Sequence, residues 1–165
     1  MKKYGCIGKK LGHSFSKDIH AKLADYKYEL IELNEEEIDS FFKQKDFAAI
    51  NVTIPYKQTV IPYLDSISEI ANRIGAVNTI VNKDGKLLGY NTDYYGMKAL
   101  IEKTGIDFQN KKILILGTGG TSKTAQIVAQ DLGANQILTV SRRESLEFIT
   151  YDQAKKKSFW CKHNH

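Results

Sequence analysis

The stretch "KILILGTGGTS", Lys112 to Ser122, decides the fold class. Its apolar residues, Ile113 to Leu116, run without alternation, the pattern of a strand buried on both faces of a parallel sheet. Gly117 ends the strand, and Ser122 opens a helix expected to reach Leu132 and stop at Gly133. Strand, glycine turn and helix in that order are the context that gives a dinucleotide fingerprint mechanical meaning. Gly117 permits the tight turn, and Gly119 lets main-chain N–H groups approach a pyrophosphate at the positive end of the helix. The whole loop, Gly117, Thr118, Gly119, Gly120, Thr121 and Ser122, is the candidate phosphate cradle. Ser122 stands where the fingerprint has its third glycine, so the match is imperfect. A plain packing turn would give the same letters.

The next strand, expected over Gln136 to Arg143, sharpens this reading. An NAD-binding unit places Asp or Glu at that strand's end, to hold the ribose 2′-hydroxyl. Here the end is Ser141, Arg142 and Arg143. Guanidinium groups match a 2′-phosphate in charge and in bidentate geometry, so the expected cofactor is NADP. The plain alternative is a pair of solvated arginines opening a loop.

Upstream, strand-like and helix-like segments alternate, as in an α/β architecture. "KYGCIG" (Lys3 to Gly8), "YKYELIEL" (Tyr26 to Leu33) and "FAAINVT" (Phe47 to Thr53) read as strands. Ser16 is placed to cap a helix through Leu23, and Glu35 to Lys43 forms a polar-faced helix. Tyr56 to Asp65 looks helical but is broken by Pro62, and Ser66 with Glu69 suggests a capping box. "NKDG" (Asn82 to Gly85) between two apolar runs signals a hairpin. A helix follows from Asp93 to about Thr104. The expected domains are 1–105, an α/β substrate-binding domain, and 106–154, an incomplete Rossmann-type dinucleotide-binding unit.

Composition sets the limits. Of 165 residues, 42% are hydrophobic and 26% charged, ordinary for a soluble globular protein. The charge of +5 mildly favours anionic small molecules, but no basic motif marks a nucleic-acid face. No window approaches a membrane span, and Cys6 and Cys161 form no CxxC pair, which fits a reducing cytoplasm.

Four polar clusters sit at the ends of predicted elements: Ser14 with Ser16, Thr53 with Lys57, Asn78, and Asp93. Each has a structural explanation, since caps and turns use these residue types. Together they suit a small hydroxylated carboxylate, and a Lys–Asp pair can move a proton to or from a carbonyl oxygen. At these residues the sequence closely resembles the shikimate dehydrogenases. The matching motifs are "GHSFSKDIH" (Gly12 to His20), "NVTIPYK" (Asn51 to Lys57), "GAVNT" (Gly75 to Thr79), "GYNTD" (Gly89 to Asp93) and "GTGGTS" (Gly117 to Ser122), covering residues 4 to 143 in order. The resemblance implies NADP-dependent interconversion of 3-dehydroshikimate and shikimate. It implies Ser14 and Ser16 on the carboxylate, Thr53, Asn78 and Asp93 on ring hydroxyls, and Lys57 as acid/base beside Asp93. A quinate/shikimate dehydrogenase and a non-catalytic shikimate-binding module are the alternatives. The sequence departs from the family at Lys17, usually proline, at Ala21, usually asparagine, and at Arg143, usually a small residue.

The resemblance also implies further strands and a C-terminal segment bearing a substrate-binding glutamine, neither of which the sequence supplies. Its closing stretch, from Lys155 to His165, is atypical: "KKSFWCKHNH" follows the first lysine, with no strand or helix period. A frameshift at the adenine-rich lysine run is the expected explanation. Cys161, His163 and His165 are read as a tail without preorganised metal geometry.

Overall fold

The computed structural model describes residues 3–143 and 145–156, and the chain divides into two compact units, Met1–Thr92 and Asp93–His165. In the first, β1 (Tyr4–Gly8) connects through α1 (Ser16–Leu23) to β2 (Tyr28–Glu32). Helix α2 (Glu35–Gln44) then leads to β3 (Ala49–Val52). After a single 3₁₀ turn at Ile61–Tyr63 come β4 (Ser66–Ile67), α3 (Glu69–Ile74) and the hairpin β5 (Thr79–Lys83) and β6 (Lys86–Tyr90). The sheet order is β2-β1-β3-β5-β6-β4. β1 runs parallel to both neighbours, while β5 runs antiparallel to β3 and β6.

Alternation along the strands separates the two sheet faces. Ile7, Ile50, Val52, Ile80 and Leu87 join the main core with Ile38 and Phe42 of α2 and with Phe47, Tyr56 and Val60. Cys6, one residue from Ile7, belongs instead to a small cluster with Leu11 and Tyr28. Helix α2 begins at a capping box, in which the Asn34 N–H donates to Glu37 Oε2 at 2.7 Å. The hairpin turn holds Asp84 and Gly85 at φ of 53° and 85°, the paired positive angles that a two-residue turn requires.

Several local expectations are revised. Ser16 does not cap α1: Phe15 is the cap residue and Ser16 is already helical. Residues 56–65 form turns and the 3₁₀ turn rather than a helix, because Pro62 has no N–H to donate. Ser66 is part of β4, and the cap of α3 is Ser68, whose Oγ accepts the Ala71 N–H at 3.2 Å.

The second unit contains α4 (Asp93–Lys103), β7 (Lys112–Leu116), α5 (Ser122–Asp131), β8 (Gln136–Ser141), β9 (Ile149–Thr150) and α6 (Tyr151–Lys156). Its three strands are all parallel, in the order β7-β8-β9. The sequence reading counts two strands here; β9, only two residues long, carries too little periodicity to be seen. β7 is half-buried rather than buried on both faces, since it is an edge strand among the described residues. Helix α4, kept with the first domain in the sequence reading, groups with the second unit: the buried Tyr94 donates its hydroxyl to Asp131 of α5 at 2.7 Å. Of the atypical tail, Lys155 and Lys156 close α6, and the rest lies outside the described residues. No helix among the described residues is long and apolar enough to cross a membrane.

One packing constraint is directly testable. A Cβ on Gly5 would fall on the Glu29 carbonyl oxygen of β2, which is main chain and cannot swing aside. Gly5→Ala is expected to destabilise the chain by about 1–3 kcal/mol in urea unfolding, as overpacking does.

Candidate active site

The sheet register aligns Leu30, Cys6, Asn51, Thr79 and Tyr90 in one row across five strands, on the face away from the main core. The row is apolar at β2 and β1 and polar from β3 onward. Asn51 and Thr79 of this row are hydrogen-bonded to each other and to the neighbouring Tyr28 and Asn78. Tyr28 Oη donates to Asn51 Oδ1 at 2.6 Å, and Asn51 Nδ2 donates to Thr79 Oγ1 at 3.2 Å. Thr79 Oγ1 donates to Asn78 Oδ1 at 3.1 Å, and Asn78 Nδ2 donates to Thr92 Oγ1 at 3.0 Å. Asn78 is buried, and its Oδ1 also accepts the Thr92 N–H at 2.8 Å.

Lys57 follows β3 on a rigid turn. The Thr53 N–H donates to the Ile7 carbonyl at 3.0 Å and the Tyr56 N–H to the Thr53 carbonyl at 2.9 Å. Tyr56 is fully buried, and its hydroxyl donates to the Leu33 carbonyl at 2.5 Å. The Val77 N–H then donates to the Lys57 carbonyl at 2.7 Å. The half-buried Lys57 is anchored through its backbone on both sides. Its charge also reaches Cys6: burial pushes the thiol up, and the Lys57 ammonium opposes that shift.

The serine pair lies in the loop after β1. The Ser14 N–H donates to the Leu11 carbonyl at 2.8 Å, and Ser14 Oγ accepts the Ser16 N–H at 3.3 Å. The Tyr28 ring stacks on His20 at 3.9 Å. His20 Nδ1 in turn pairs with the Tyr26 hydroxyl. Thr53 is half-buried, its methyl so close to Gly8 that a Cβ there would lie 2.7 Å from it. Ser14, Ser16, Thr53, Lys57 and Asn78 all belong to the first unit; Asp93 opens α4 in the second.

In the second unit Gly117, Thr118 and Gly119 line a cavity of about 720 Å³ with Val140, Ser141, Arg142, Arg143 and Tyr151. Gly120, Thr121 and Ser122 border an adjoining depression of about 260 Å³. Gly117 adopts φ of 110°, which needs glycine, whereas a Cβ on Gly119 or Gly120 would meet nothing. Protein packing therefore does not require those two glycines, and their absent side chains leave the loop's main chain open to a ligand. The Arg143 N–H donates to Ser141 Oγ at 3.1 Å, and both arginines are exposed at the cavity. Open main-chain N–H groups, a helix start and two guanidinium groups fit a dinucleotide with an added phosphate. Ser122 is buried, and its Oγ has no partner among the described residues.

Sequence reasoning missed Tyr28, Asn51, Thr79 and Tyr151. Asn51 was visible within a quoted motif: it alternates with the core residues Ile50 and Val52 and must face the opposite way. Tyr28 and Tyr151 carried no such signal.

Residues 6–80 match the family described as the shikimate dehydrogenase substrate binding domain. That match falls on the first α/β unit, and a strand–helix–strand unit with a glycine loop follows it. The likeness to shikimate dehydrogenases continues into this second unit. The chain is 41% identical over 170 residues to a shikimate dehydrogenase (NADP(+)) of Clostridium beijerinckii, covering 93% of this chain and 63% of the relative. The crystal structure of shikimate dehydrogenase 1 from Peptoclostridium difficile is 36% identical with a TM-score of 0.83, over 94% of this chain and 63% of that one. A Thermus thermophilus shikimate 5-dehydrogenase in complex with NADP(H) and shikimate is 29% identical with a TM-score of 0.77, over 86% and 56%. The chain therefore spans about three fifths of the length of these relatives.

Burial raises the pKa of both Cys6 and Tyr28, the latter steeply. For an acid that is neutral when protonated, a raised folded pKa means the unfolded chain loses its proton first as pH rises. Stability from these groups is full below their unfolded values, roughly 8.5 and 10, and is lost above them. Urea midpoints should fall from about pH 9 upward, and Tyr28→Phe should flatten the part of the fall that begins near pH 10. A variant with the same alkaline slope as the parent would contradict this assignment.

Proposed function

We propose that the protein acts as an NADP-dependent shikimate dehydrogenase, reversibly reducing 3-dehydroshikimate to shikimate. The observation that carries the reading is the polar row on the open sheet face, next to a half-buried lysine with a fixed backbone, in a domain of this family. When bound, the nicotinamide cofactor supplies the hydride. Lys57 Nζ gives a proton to the carbonyl oxygen as negative charge develops there, and takes it back in the reverse direction. Asp93 is the second acid–base group and holds a ring hydroxyl. Ser14 and Ser16 hold the carboxylate by hydroxyl donation, and Thr53 and Asn78 hold the remaining ring oxygens. Asn78 does so as a donor, because its Oδ1 is already engaged. The loop from Gly117 to Ser122 receives the pyrophosphate, and Ser141, Arg142 and Arg143 receive the 2′-phosphate. The partner is a small molecule, with neither nucleic acid nor membrane, and the setting is a reducing cytoplasm.

Titrating the ¹⁵N-labelled chain with shikimate should shift resonances of Ser14, Ser16, Thr53 and Lys57 saturably. A dispersed spectrum that shikimate leaves unmoved, while quinate shifts it, would replace the substrate. In shikimate-dependent NADP⁺ reduction, Lys57→Ala should lower kcat by about 10²–10⁴-fold with KM nearly unchanged. A large rise in KM with kcat preserved would make Lys57 a binding group only.

The arginine assignment has its own readout. The chain should bind adenosine 2′,5′-bisphosphate at least about tenfold more tightly than 5′-AMP, as charge-assisted hydrogen bonds to the second phosphate imply. The double substitution Arg142→Ala and Arg143→Ala should erase that preference, and its survival would remove both residues from 2′-phosphate recognition.

A further inference from the structure

Four hydrogen bonds on the open sheet face run in one direction, and the Thr92 main-chain N–H donates back to Asn78 Oδ1 at 2.8 Å at their end. Tyr28 donates to Asn51, Asn51 to Thr79, Thr79 to Asn78, and Asn78 to Thr92. An amide carries an acceptor oxygen and a two-proton donor nitrogen, and nothing in its shape prefers one orientation over its reverse. The orientation must come from neighbours whose own role is fixed. The Thr92 main-chain N–H supplies it for Asn78, whose Oδ1 must accept, whereas the hydroxyls of Thr79 and Tyr28 donate or accept as required. Tyr28 supplies position instead: its ring stacks on His20 at 3.9 Å, the residue is 5% exposed, and its hydroxyl lies 2.6 Å from Asn51 Oδ1.

We infer that Tyr28 is a positioning residue for the substrate face: its hydroxyl anchors the Asn51 carboxamide through Oδ1, with nitrogen toward Thr79. The consequence is chemical. Asn51 uses one Nδ2 proton on Thr79 and keeps the second, and Asn78 uses one on Thr92 and likewise keeps the second. The face presents N–H donors, suited to hydroxyl and carbonyl oxygens of a ligand. With the Tyr28 hydroxyl removed, Asn51 Oδ1 loses its donor and the carboxamide can turn, while Asn78 stays held by the Thr92 N–H. Tyr28 then acts on ligand oxygens without touching them. The inference rests on the proposed function for the identity of the ligand but not for the network itself.

Tyr28→Phe is the test, because it deletes one oxygen and keeps the ring on His20. In ¹H–¹⁵N spectra of the full chain, the Asn51 side-chain amide protons should exchange with solvent at least about fivefold faster in the variant, with the backbone spectrum elsewhere retained, on the scale of one lost hydrogen bond. Shikimate affinity should fall by about five- to tenfold on the same scale. Tyr28→Leu, which also removes the stack on His20, separates packing from polarity: both variants lose the amide protection, and only Leu lowers the unfolding midpoint markedly. Unchanged Asn51 amide exchange in Tyr28→Phe overturns the positioning role whatever the ligand does. Failure of the parent chain to bind shikimate, with exchange accelerated as expected, instead overturns the proposed substrate and leaves the positioning role standing.

Discussion

Three consecutive residues, Ala76, Val77 and Asn78, hold the substrate unit's site together through their main chain. The Val77 N–H donates to the Lys57 carbonyl at 2.7 Å, and the Asn78 carbonyl accepts the Val52 N–H at 2.8 Å. The Asn78 N–H donates to the Tyr90 carbonyl at 3.0 Å, and the Ala76 carbonyl accepts Asn91 Nδ2 at 3.0 Å. Four stretches of chain, the end of β3, the Lys57 turn, the end of β6 and the segment leading to Asp93, thus meet on one short strand approach. All three residues are buried, so these bonds are shielded from competing water and each is costly to leave unmade. Without this junction the sheet would still form, but Lys57 would hang from a turn anchored at one end only.

The junction depends in turn on the core beneath it. Val77 packs with Tyr56, Val60 and Ala71 in the main cluster, which also contains Ile80 and Leu87 of the hairpin. Tyr56 couples the two, since its ring fills the core while its hydroxyl ties the turn before Lys57 to Leu33. The motif containing Lys57 is therefore half packing and half chemistry, and the alternation of the strand before it decides which residue does which. Ile50 and Val52 face the core; Asn51 faces the ligand side.

That division explains what was legible in the sequence. The α/β class, the hairpin at Asp84–Gly85 and the glycine turn at Gly117 could be read because each rests on local geometry or a short period. The polar breaks at the ends of β3 and β6 could be read for the same reason. Three things could not. Whether Ser16 or Phe15 caps α1 depends on how the preceding loop folds over Leu11. Whether Tyr56 to Asp65 forms a helix depends on Pro55 and on the pull of Tyr56 into the core. The pairing of Tyr28 with Asn51 spans 23 residues and two strands, and no period within either strand encodes it. Parallel strands bring distant residues side by side, and the register that does so is set by packing.

Under the proposed function, the two halves of the chain would achieve recognition by opposite means. On the substrate face, side chains spend most of their hydrogen-bonding capacity on one another, leaving a few donors with fixed directions. Such a surface discriminates well, because a misplaced ligand oxygen leaves a buried donor unpaired. At the glycine loop, side chains are largely absent, and recognition falls to main-chain N–H groups and the helix start, whose directions the backbone already fixes. Deleting a single oxygen should therefore matter most in the first unit. Within the glycine loop of the second, Gly117 is held at φ of 110°, while a Cβ on Gly119 or Gly120 would meet only open space. The first surface is selective through its hydrogen-bond pattern, and the second through the space it leaves empty.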